Sequence, residues 1–87
     1  MIFQVYIIFS KSRNRYYIGS TAESLTERIR RHNSVHKGFT ANTTDWKHVY
    51  TENFETKIIA QKRERQIKSW KSRQMIENLI SEVNINV

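Results

Sequence analysis

The sequence predicts a small α+β domain, and three observations carry that expectation. Short runs rich in β-branched and aromatic residues open the chain and recur near its middle, and the stretches between and after them repeat their apolar residues at helical spacing. A chain of 87 residues has room for one core and one domain. No Pro/Gly/Ser linker, repeat or low-complexity stretch divides it, so residues 1–80 are read as one domain and residues 81–87 as a tail expected to fray.

The first two elements are strands, Ile2–Phe9 and Arg15–Ser20, joined by the turn chemistry of Ser10-Lys11-Ser12-Arg13-Asn14. Pairing Phe9 with Asn14 across a four-residue loop sets Tyr6 opposite Tyr17, Val5 opposite Ile18 and Ile7 opposite Tyr16. That register gathers Phe3, Val5, Ile7, Phe9, Tyr16 and Ile18 on an apolar side, with Gln4, Tyr6, Arg15, Tyr17 and Gly19 on the other. One face can make core and the other a site.

A helix follows, opened by Ser24-Leu25-Thr26-Glu27 with the spacing of a capping box. Leu25 and Ile29 form its buried stripe, and at about 100° per residue Arg28 and His32 fall on or beside it, one turn apart. Arg30 and Arg31 point elsewhere, as solvated or phosphate-contacting charges. Residues 34–45 are polar and read as a loop over the same face. Trp46–Phe54 alternates as a third strand with Trp46, His48 and Tyr50 on one side.

Lys57–Ser69 reads as a second helix with Ile59, Ala60, Ile67 and Trp70 inward. Glu64 lies at the edge of that stripe, among Lys62, Arg63, Arg65 and Lys68. Ser72 caps a last helix that turns Met75, Ile76, Leu79 and Ile80 inward.

Composition narrows the function classes. Lys and Arg number 15 against 8 Asp and Glu, a net charge of +7, which favours polyanionic partners and above all nucleic acid. With no cysteine there are no disulfides or thiolate metal sites, and the expected setting is the reducing cytoplasm. The apolar run Ile2–Phe9 is too short to span a bilayer and lacks the flanks of a secretory signal, so no membrane role is expected.

Single residues leave alternatives open. Tyr6 and Tyr17 could be amphipathic strand residues, Arg28 a snorkelling arginine and His32 a half-buried structural histidine. Glu64 could form an i,i+4 pair with Lys68 worth roughly 0.2–0.5 kcal/mol. It could equally be the one carboxylate that a hard cation needs when water and a substrate phosphate supply the remaining ligands. Asp45 is the single aspartate and no paired acidic motif exists, which disfavours a two-ion site. His32 and His36 share i,i+4 spacing, but a helix ending near Asn33 takes them off one face, so no zinc site is expected.

The order of parts resembles the GIY-YIG nucleases, over Val5 to about Ile80. The resemblance rests on Gln4-Val5-Tyr6 at the first triplet, Tyr17-Ile18-Gly19 at the second and Leu25–Asn33 as the arginine helix. The segment Lys62–Trp70 carries the acidic residue. The first triplet departs from the family pattern by Gln4 for glycine and Val5 for isoleucine. The resemblance implies a small three-stranded antiparallel sheet flanked by helices, with Tyr6, Tyr17, Arg28, His32 and Glu64 as catalytic residues and Glu64 as the ligand of one Mg²⁺ or Mn²⁺ ion.

The implied activity is metal-dependent endonuclease cleavage, with DNA the expected substrate. Tyr6 would take the proton of the attacking water, which requires a phenol pKa below the ordinary ~10. Arg28 would bind the nonbridging oxygens, the ion on Glu64 would stabilise the leaving oxygen, and Tyr17 would orient phosphate or water. Arg15, Arg30, Arg31, Lys37, Lys62, Arg65 and Lys68 are the cations expected to meet the nucleic-acid backbone. The alternative is a non-catalytic basic module that binds nucleic acid or associates with ribosomes. Protein partners and oligomeric state are left open.

Overall fold

The computed structural model describes residues 2–34 and 36–85. Its elements are β1 (Phe3–Ser10), β2 (Arg15–Thr21), α1 (Leu25–His32), β3 (Trp46–Phe54), α2 (Lys57–Ser69) and α3 (Arg73–Ile85). The strands form one antiparallel sheet in the order β2-β1-β3, so the expected α+β architecture is present. β1 is the middle strand and is covered on both sides. Its Val5-Tyr6-Ile7-Ile8 run has no exposed surface at all, as a doubly covered strand requires.

The β1–β2 register lies two residues from the expected one. Tyr6 faces Gly19, Ile8 faces Tyr17, Phe9 faces Tyr16, and Ser10 with Arg15 closes the hairpin. The turn is fixed from outside: Asp45 accepts from the Ser10 hydroxyl at 2.6 Å and from the Ser12 backbone N–H at 2.8 Å, while Asn14 takes a left-handed φ of 55°. A slide of two residues keeps every side chain on its face, so the predicted sidedness survives the shift.

On one face Val5, Ile7, Ile18 and Tyr50 meet Ala60 and Ile67 of α2, with Ile76, Leu79 and Ile80 of α3 packed against them. On the other, Tyr6, Ile8 and Trp46 pack with Tyr17, Leu25 and Ile29 beneath α1. The second face is therefore also core, which the expectation of one apolar and one polar side did not include.

β3 corrects a second expectation. Between Ile7, which faces Tyr50, and Ile8, which faces His48, the ladder carries an irregularity that leaves Val49 as the extra residue. Alternation resets there, so Trp46 joins the α1 side while Tyr50 joins the α2 side. His48 is exposed.

Ser24 caps α1 by accepting from the Glu27 N–H at 3.4 Å, but the Glu27 carboxylate turns to Arg30 and does not close the box. Thr56 caps α2, and Ser72 accepts from the Met75 N–H at the start of α3. Ile59 is half-exposed, not inward, because it lies about 100° round the helix from Ala60. Met75 also faces outward, leaving Ile76, Leu79 and Ile80 to make the contact. α3 runs on to Ile85, past the boundary expected at residue 80, and residues 86–87 of the predicted tail lie outside the described ones.

Candidate active site

Tyr6 is the centre of the α1 face. Leu25 and Ile29 seat α1 on the sheet, and the next turn positions bring Arg28 and His32 over the phenol. The Tyr6 hydroxyl is 2.7 Å from His32 Nε2, and Arg28 Nε donates to the same oxygen at 3.3 Å. The guanidinium can only donate, which leaves the phenol proton free to go to His32 Nε2. His32 Nδ1 in turn meets Thr40 Oγ1 at 2.9 Å, and Trp46 Nε1 donates to the Thr40 carbonyl, which pins the 34–45 loop over this face as expected.

The electrostatics differ from the requirement set out above for a tyrosine base. Burial pushes the Tyr6 phenol up to about 12, further than the bonded Arg28 draws it down, and Tyr17 and Glu64 add to the rise. Burial likewise brings His32 down to about 4, helped by the charge of Arg28 and by His36. The resting pair is therefore a neutral phenol on a neutral imidazole.

Tyr17 lies beside this pair and joins it to α2. Its ring is 4.9 Å from that of His32, stacks on Phe39 at 5.9 Å and 27°, and has Lys68 Nζ 5.7 Å from its centroid. Lys68 also donates to Glu64 at 2.6 Å, while the Ser20 hydroxyl donates to the other Glu64 oxygen at 2.5 Å. Glu64 thus turns toward β2, where Ser20 stands opposite Val5 on the α2 side of the sheet, and Lys68 over the Tyr17 ring links it to the α1 face. Glu64 does not touch Tyr6, though its charge is felt there.

The five residues do not share one cavity. Tyr17, Arg28 and His32 line a cavity of about 410 Å³ together with Arg31, His36 and Lys37. Tyr6 is wholly buried behind it, and Glu64 stands beyond Tyr17. A larger cavity of about 720 Å³ opens on the other side of Phe39, lined by Arg13, Arg15, Lys68, Lys71 and Arg73 among others.

The cations divide accordingly. Arg31 and Lys37 line the first cavity, and Arg15 and Lys68 the second. Arg30 is spent on Glu27, and Lys62 and Arg65 are exposed on α2 and line neither. Among the described residues no group of three or more His, Cys, Asp or Glu side chains could hold a metal.

Sequence reasoning missed Glu23, whose carboxylate lies 3.0 Å from Arg31 and 3.7 Å from Arg28. Its place five residues ahead of Arg28 fits no helical pairing rule, because it precedes the helix cap. Thr40 and Arg13 were missed too, and their positions follow from a loop and a turn whose shape the sequence does not reveal.

Residues 2–78 match the family model of the GIY-YIG catalytic domain. The solution NMR structure of a UPF0213 protein from Bacillus halodurans is similar, with a TM-score of 0.57 and 27% sequence identity over 93% of this chain and 84% of that one. No curated protein matches. With a match over nearly its whole length and the expected strands, arginine helix and acidic helix all in place, the chain belongs to the GIY-YIG family.

Proposed function

We propose that this chain is a divalent-metal-dependent endonuclease that hydrolyses phosphodiester bonds in DNA with the help of one Mg²⁺ or Mn²⁺ ion. The observation that carries the proposal is the placement of Arg28 and His32 together on the Tyr6 hydroxyl, at the wall of a cation-lined cavity. A scissile phosphate entering there meets Arg28 first and Arg31 next. The guanidinium of Arg28 suits the nonbridging oxygens, which it can bind in a fork.

Arg28 also covers the phenol oxygen, so moving onto phosphate would open Tyr6 to the attacking water. Tyr6 takes the water's proton only as its own leaves toward His32 Nε2, because a phenol raised to about 12 is not ionised beforehand. Tyr17, open to the cavity and packed on His32, orients the phosphate.

The donor set fits a hard cation of the Mg²⁺ type. Glu64 is a partly buried carboxylate whose oxygens already hold an ammonium and a hydroxyl, Lys68 and Ser20. One such carboxylate suffices when water and substrate complete the shell. When bound, the ion would neutralise charge on the leaving oxygen.

Incubation with plasmid, branched and single-stranded DNA in Mg²⁺ or Mn²⁺ tests the reading. Cleavage lost in Glu64→Ala with folding intact is the expected result, and no cleavage above that control overturns it. The complete burial of Tyr6 favours one second reading, a module that binds nucleic acid without turnover. Salt-dependent binding unchanged by Glu64→Ala, with no cleavage, would establish that reading instead.

A further inference from the structure

We infer that Thr40 and His36 extend the Tyr6–His32 pair into a directed proton path from the buried phenol to the rim of the cavity. The inference rests on the catalytic reading above and adds two residues to it as positioning residues, neither of which touches the reacting atoms.

The direction follows from which atoms can donate. His36 Nδ1 is 2.7 Å from the backbone carbonyl of Ser34, an acceptor only, so in neutral His36 that nitrogen carries the proton and Nε2 accepts. Thr40 Oγ1 lies 2.6 Å from His36 Nε2 and must donate to it. The Thr40 oxygen is then left to accept from His32 Nδ1–H, which fixes the His32 tautomer and leaves Nε2 bare toward Tyr6. Arg28 donating to the phenol oxygen agrees with that order, since it leaves the phenol proton for His32 Nε2. One backbone carbonyl thus sets every donor and acceptor up to the tyrosine.

The path also answers a difficulty in the chemistry. Buried His32, beside Arg28, is a poor resting place for a positive charge. Tyr6, His32 and Thr40 are buried, whereas His36 is partly exposed. As water gives its proton to Tyr6, the phenol proton passes to His32 Nε2, the Nδ1 proton to Thr40 Oγ1 and the threonine proton to His36 Nε2. The hydroxide formed bonds to phosphorus as the bond from phosphorus to the leaving oxygen breaks, that oxygen takes a proton from water, and His36 ends as the imidazolium. The charged and titratable groups that line the cavity with His36 are Arg28, Arg31 and His32 from α1, Tyr17 from β2 and Lys37 from its own loop; Glu23 pairs with the two arginines, and among the described residues no carboxylate lines the cavity itself.

Nitrogen-15 NMR of the histidine side chains in the whole chain at pH 7 reads the polarity without turnover. His32 is expected protonated at Nδ1 and bare at Nε2; the opposite tautomer overturns the path. In kinetics, Thr40→Val and His36→Ala are each expected to lower kcat about tenfold or more with KM unchanged, and added imidazole to restore His36→Ala. Cleavage by the wild type with kcat unchanged in His36→Ala, or a loss that imidazole does not restore, overturns the relay and leaves the nuclease reading standing. Absence of cleavage by the wild type under any condition overturns both.

Discussion

Gly19 stands opposite Tyr6 in the β1–β2 ladder, and the phenol lies across it so closely that a Cβ there would come within 2.6 Å of the hydroxyl oxygen. The Tyr17 ring would be 3.1 Å away. The glycine is required for space and not for backbone freedom. Gly19→Ala is expected to push the phenol off His32, costing about 1–3 kcal/mol of stability and a larger share of activity. Urea unfolding and a cleavage assay check this, and an alanine variant equal to wild type in both would mean the ring has room to move.

His32 makes stability depend on pH. Its pKa of about 4 in the fold lies below the ordinary ~6.5 of an unfolded histidine. Between those values the unfolded chain takes a proton that the folded chain refuses, so stability rises with pH across that window and is lost as pH falls through it. Denaturation midpoints at pH 7 and pH 5 should differ in the wild type, and His32→Asn should flatten the difference.

If phosphate enters the first cavity, Glu23 competes with it for Arg28 and Arg31. Its carboxylate neutralises Arg31 and approaches Arg28, and one of its oxygens is buried without a hydrogen-bond partner. Glu23→Gln is expected to tighten nucleic-acid binding about two- to fivefold, the scale of one partly exposed ion pair. Titration by fluorescence anisotropy reads it, and weaker binding would assign Glu23 to holding the arginines in place.

The 720 Å³ cavity beyond Phe39 supplies a second group of cations. Arg15 and Lys71 line it, and among the described residues neither takes part in an ion pair. If nucleic acid runs through it, Arg15→Ala and Lys71→Ala should each reduce the slope of log K against log salt by about 1. Lys62→Ala, on the outer side of α2, should leave the slope unchanged.

Much of this was legible in the sequence because it depends on local pattern. The bounds of β3 and α2, the Ser24 cap and the one-turn spacing of Arg28 and His32 all follow from periodicity and cap chemistry within a few residues. What was not legible depends on contacts across the chain. Asp45 moved the hairpin register by two residues from its place at the foot of β3. Val49 broke an alternation that looked regular, and burial raised the Tyr6 phenol where a lowered one was expected. The Thr40 and His36 contacts close through a loop without periodicity, so spacing gave only a bare histidine pair.

The irregularity at Val49 has a further reach. With side chains reversing sides part-way along β3, a single strand roofs the phenol with the Trp46 indole and props the opposite core with Tyr50. Trp46 and Tyr50 are four residues apart, so a regular strand would put both on one side, and the extra residue is what sends them to opposite faces. One surplus residue thus lets a single strand serve both the chemistry and the foundation beneath it.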